Sequence, residues 1–150
     1  MLPPMARVTA ADWIGFLSSL KGQLGTFLMG DPAGQAALGE AGGTPLVNGA
    51  SQTGDELIID GASTSQTDWL KRGDYIQLGT SGSTALHMVM KDVDTNGSGD
   101  AILDLWPSIR TAPSDNAAVT VSATKGRWRL ATNQMSWDIN SASHHGLSFT

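Results

Sequence analysis

The chain reads as mainly β, a sandwich or barrel of about eight short antiparallel strands preceded by one amphipathic helix. Three observations predict this class. Short apolar runs recur at intervals of roughly ten residues from residue 57 onward, separated by clusters of Gly, Asn, Asp, Ser and Pro. The 150 residues include 18 glycines, and only 15% are charged, a balance that favours short elements and tight turns over long helices. A helical period is confined to the N-terminal region. The length suits one compact domain over 1–150 with a real core.

Thr9 followed three residues later by Asp12 is a helix-start signature, and Trp13, Phe16, Leu17 and Leu20 then recur at helical spacing. A helix over about 10–21 is expected, stopped by Gly22 and Gly25. TFLMGDP reads as a short extended segment closed at Asp31-Pro32, because a residue before proline is pushed out of the helical region. Residues 33–56 contain six glycines and few large apolar groups, so the segment can bury little surface to offset its ordering entropy. A long extended arm or loop is expected there, one that in an assembly could order on a neighbour.

The eight candidate strands are LIID, YIQLG, ALHMVM, AILDLW, AVTVSA, RWRLA, MSWDI and GLSF. Several alternate, which predicts burial on one face only. Leu86, Met88 and Met90 share one face, leaving His87 on the more polar one; Trp128 and Leu130 oppose Arg127 and Arg129; Trp137 and Ile139 oppose Ser136 and Asp138.

The run DVDTNGSGD, residues 92–100, matches part of a calcium-loop pattern, with Asp92, Asp94 and Asn96 at the first three ligand positions, Gly97 at the turn and Asp100 at a later ligand. That pattern needs a bidentate Glu at position twelve, where Leu103 stands, and its flanks here read as strands rather than helices. A hairpin turn is preferred, since Asx side chains bond their own backbone and Gly97 and Gly99 accept positive φ. No metal is therefore favoured; Asp92, Asp94, Asn96 and Asp100 are the weak candidates.

No enzyme signature is present. His144 and His145 are adjacent and in a strand would point to opposite faces, so they cannot share one metal. There is no GxSxG elbow, and the paired carboxylates fall in turn-like sequence where solvation explains them. No catalytic residue and no cofactor are expected. Fourteen acidic against nine basic residues give a net charge of -5, with no basic stripe for nucleic acid. The absence of cysteine excludes disulfides and thiolate metal sites. The N-terminus lacks a secretory apolar run and no segment approaches the roughly 18 apolar residues of a membrane span, so an aqueous setting is expected.

Of the five tryptophans, Trp13, Trp128 and Trp137 follow their element's apolar period and are expected in the core. Trp106 precedes Pro107, where a strand must end or become an edge. With Arg110 it forms a candidate subunit contact at Trp106, Pro107 and Arg110, because Trp and Arg are over-represented at interface hot spots; plain core packing stands beside this reading.

Taken in order, WIGFLSSLKGQLGTFLMGDP, TPLVNGASQTGDELIIDG, LKRGDYIQLG, LHMVMKDVDTNGSGDAILDLWPSIRTAP and GRWRLATNQMSWDINSASHHGLSF resemble the distal tail and minor tail proteins of long-tailed bacteriophages. The resemblance runs from Asp12 to Phe149. It implies a split β-barrel, no catalysis, and a virion structural protein assembled in the bacterial host cytoplasm. It further implies a homo-oligomeric ring of six copies joining the tail tube protein to the tip, hub or baseplate. DNA would pass through without specific binding, and the acidic balance suits such a channel because a negative lumen repels phosphates. The neighbouring alternative is a tail tube or connector subunit that stacks on itself. The alternative from another class is a calcium-dependent or carbohydrate-binding β-sandwich module.

Overall fold

In the computed structural model, which describes residues 5–139 and 145–149, each of the eight expected strand runs lies in or overlaps a strand, and the protein is mainly β with one α-helix. Intrachain contacts separate two compact units, Met29–Arg127 and Met1–Leu28 together with Trp128–Thr150.

The larger unit is a six-stranded antiparallel sheet closed on itself. Its strands are β2 (Gly43–Val47), β3 (Gly54–Ala62), β4 (Tyr75–Leu78), β5 (Ala85–Val89), β6 (Ala101–Ile109) and β7 (Val119–Thr120), in the order β2-β3-β6-β5-β4-β7. The two end strands meet: Leu46 bridges Ala118, the Val47 amide donates to the Ala117 carbonyl at 2.9 Å, and the Asn116 amide donates to Val47 at 2.9 Å. Closure leaves no long free edge on this sheet. Period-two alternation sends Leu57 and Ile59 of β3, and Leu103 and Leu105 of β6, into the barrel, where they meet Ile76 and Val89. Each such aliphatic burial stabilises the fold by about 1.5–3 kcal/mol.

Residues 33–56, expected as an extended arm or loop, follow a different course. They contain β2 and enter β3, and the stretch before β2 is tied to residues 68–74. The Asp74 carboxylate accepts from the Leu38 amide at 2.7 Å, the Gly39 amide at 3.2 Å and the Lys71 amide at 2.7 Å. The Glu40 and Ala41 amides donate to the Asp68 and Trp69 carbonyls, and the Trp69 indole donates to the Gly42 carbonyl at 2.9 Å. Trp69 is fully buried. Backbone hydrogen bonding, rather than apolar burial, holds this strap down. Gly39 is required there, because a Cβ would stand 2.5 Å from the Trp69 carbonyl oxygen.

The smaller unit contains α1 (Arg7–Ser19), three residues earlier at its start than expected, and the hairpin β9 (Met135–Ile139) with β10 (His145–Phe149). Its N-cap is Ala6, with no side-chain cap, so Thr9 and Asp12 lie inside the helix rather than at its start. The buried stripe is Ala10, Leu17 and Leu20, packed with Leu130, Ile14, Phe27, Met135 and Met5. The helix has turned from its expected orientation: Trp13 and Phe16 are partly exposed and meet edge to face, with ring centroids 6.2 Å apart. Two short strands complete the set, β1 (Phe27–Met29) and β8 (Gly126–Trp128), which pair with each other. Among the described residues no helix is long and apolar enough to cross a membrane.

Candidate functional site

Trp106 was expected where β6 must end or lie at an edge. Instead β6 continues through Pro107 to Ile109 and lies between β3 and β5, inside the sheet. A bulge allows this. Glu56 pairs with Asp104 but Gly54 with Ile109, so the stretch holding Pro107 bows out of the β3 ladder, where its missing N–H interrupts nothing. The Trp106–Pro107 peptide is cis.

Trp106 points outward and is 64% exposed. Along the same face of β6 lies Ile102, exposed and directly opposite the exposed Ile58 of β3. On the other side, Met88 of β5 stands opposite Trp106, and Met90 just beyond is exposed. These side chains form an apolar strip along the barrel's outer wall. Charge crosses it: Asp104 stands between Ile102 and Trp106 on the same face of β6, opposite Glu56, and Lys91 reaches Asp104 at 2.7 Å. That ammonium sits above its ordinary pKa, first because of its hydrogen bond to Asp104 and then through their charge attraction. Arg110 follows the strand and is exposed. The structure therefore gathers Trp106 with Ile102, Ile58 and Met90. Of these, Ile58 lies on β3, a strand that sequence alone does not make a neighbour of β6.

The candidate metal residues serve separate purposes. Residues 90–100 join β5 to β6 and are zipped against residues 62–72: Asp92 accepts from the Arg72 amide at 2.9 Å, and Asp94 accepts from the Asp68 amide at 2.8 Å. Asn96 accepts from the Ser98 and Asp100 amides and donates to the Asp100 carboxylate at 2.8 Å. Gly99 takes φ +84. Antiparallel pairing of β5 and β6 makes this a hairpin connection, held along its length by side-chain-to-backbone bonds. Among the described residues no group of three or more His, Cys, Asp and Glu side chains converges to hold a metal ion.

His87 faces the opposite way from expectation. It is 4% exposed and points inward with Val89, while Leu86 and Met88 are half-buried on the outer side. Its Nδ1 lies 2.6 Å from the Pro107 carbonyl, and its Nε2 is buried with no partner among the described residues. Burial holds its pKa below the ordinary imidazole value, with the Pro107 bond opposing this in part. His145 bridges to Met5 through its backbone, and His144 lies outside the described residues. Trp128 and Trp137, expected in the core, are also substantially exposed. An open hollow of about 350 Å³ beside Asp12, Trp13 and Phe16 offers, among the described residues, one carboxylate and two rings.

Sequence reasoning missed Ile58 and Ile102 as surface residues and Asp74 and Trp69 as anchors. The only signal for the first pair is their parity against Leu57, Ile59 and Leu103. For Asp74 there was none, since its amide partners lie up to 36 residues away. Compared with known proteins, the chain matches no protein-family model and no curated sequence.

Proposed function

We propose that the chain is a non-catalytic structural protein of a long-tailed phage virion, a self-assembling ring at the distal end of the tail that joins the tube to the tip or baseplate. Its sequence resemblance supplies the family. The observation that carries a subunit role is the outward apolar strip of Ile58, Ile102, Trp106 and Met90. A barrel needs none of these side chains exposed to fold, and a large aromatic among aliphatics is the composition of an interface core. Because the barrel closes its own edges and its strap is bound internally, neighbours would meet through outer walls rather than through barrel edges or a free arm.

Mass measurement on purified protein tests this. Rings, or oligomers forming on addition of the tube protein, are expected, and Trp106→Lys should abolish them. Open-ended tubes under negative stain would favour the tail tube or connector reading. A strict monomer that binds glycans on an array would replace both with a binding module, for which exposed Trp106 is the natural stacking surface.

A further inference from the structure

Strand β9 is half of a two-stranded hairpin, and its other edge carries backbone groups that no strand among the described residues uses. The parity of these groups follows from one contact. The His145 amide and carbonyl both bond Met5, at 2.9 and 3.0 Å, so they point away from β9. His145 is opposite Ile139, and the ladder is regular from there to Phe149 opposite Met135. Bonding in an antiparallel ladder alternates, so Ser136 and Asp138 bond β10, while the N–H and C=O of Met135, Trp137 and Ile139 point outward. Among the described residues no strand pairs with that edge. Trp137 and Ile139 are 52% and 62% exposed, and an isolated two-stranded hairpin is marginal in water.

We infer that the outer edge of β9 pairs antiparallel with β9 of a second copy, about a two-fold axis through Trp137. This register is self-complementary. It sets Trp137 opposite Trp137, Met135 opposite Ile139, and Ser136 opposite Asp138, where the hydroxyl can donate to the carboxylate. All three outward residues then exchange bonds, about six across the pair. An axis through Asp138 would set that carboxylate against its own copy and, among the described residues, leave only Trp137 and Ile139 exchanging bonds, about four in place of six. Side-chain parity places Met135, Trp137 and Ile139 of both copies on one face, continuing the cluster that Met135 joins with α1. The product is a four-stranded sheet that closes at two copies.

This pairing goes beyond the ring reading and stands without it. The chain has no cysteine, so Trp137→Cys is a sole thiol. Opposite residues of a bonded pair lie about 5.5 Å apart at Cα, within disulfide range. Mild oxidation of the full-length Trp137→Cys protein should give a disulfide-linked dimer at least about tenfold faster than Val8→Cys, a still more exposed control on α1 that belongs neither to β9 nor to the Trp106 strip. Equal rates, or no cross-link at 137, overturn the pairing. As a second measurement, Trp137→Pro removes only an outward N–H and leaves the hairpin bonds, so it should halve the mass of the native assembly with an unchanged circular dichroism spectrum. Rings of undiminished mass in that variant overturn the pairing and leave the ring reading standing. Protein that pairs through residue 137 and never grows beyond two copies supports the pairing and removes the ring.

Discussion

Replacing Asp74 should release the strap before β2. The carboxylate is 3% exposed and accepts three backbone amides, from Leu38, Gly39 and Lys71. Asp74→Asn keeps one oxygen, best used where two donors converge, and turns its NH₂ toward the Leu38 amide, donor against donor. The loss is one charge-assisted bond plus one unmet donor, about 2–3 kcal/mol. Asp74→Ala strands all three amides, though water reaching the half-buried strap limits the loss to about 3–5 kcal/mol. For a chain of this size each kcal/mol lowers Tm by roughly 2–4 °C. Urea and thermal unfolding measure the total, and amide exchange locates it. Leu38, Gly39 and Ala41 should lose protection together, and with them the Trp69 indole that bonds Gly42. Asp74→Asn within about 0.5 kcal/mol of wild type, with those amides exchanging as before, would refute the assignment of the strap to this carboxylate.

Three further outcomes are expected. His87 is held neutral by burial, so its folded pKa lies below the unfolded value of 6.5; stability is intact above that value and falls as pH drops through it, because only the unfolded chain takes up the proton. Denaturant titrations between pH 7.5 and 5.5 should show a decline in wild type that is flatter in His87→Gln, and identical slopes would rule out this linkage. Trp106→Ser, at an exposed position, should change monomer stability by no more than about 0.5 kcal/mol while weakening self-association by light scattering. Asp92→Ala and Asp94→Ala should each destabilise by about 0.5–1.5 kcal/mol through the Arg72 and Asp68 amides. In wild type, millimolar calcium should produce no calorimetric heat and no rise in Tm.

Local pattern determined much of this protein. Strands such as YIQL and MSWDI announce themselves because alternation and flanking turn residues are properties of a few consecutive positions, and the helix because its apolar period spans only two or three turns. The loop at 92–100 was legible in part: the Asn96 bonds to the Ser98 and Asp100 amides are short-range and Leu103 belongs to a strand, whereas Asp92 and Asp94 bond amides 20 and 26 residues away. β2 was hidden because Gly43 and Pro45 are poor strand formers; a cross-strand partner and Val47 in the core override that preference. Which face turns inward was settled only by barrel closure. His87, not Leu86 or Met88, points in because its strand must match the inward parity of β4 and β6, and no single strand carries that information. Likewise Trp69, in a stretch that reads as turn, is fully buried, while Trp13, Trp128 and Trp137, in regular elements, are not. The sequence alone set most of the elements, β2 excepted, and the local turn chemistry. Only the tertiary structure decided which apolar side chains were left facing water, because burial depends on partners from distant strands.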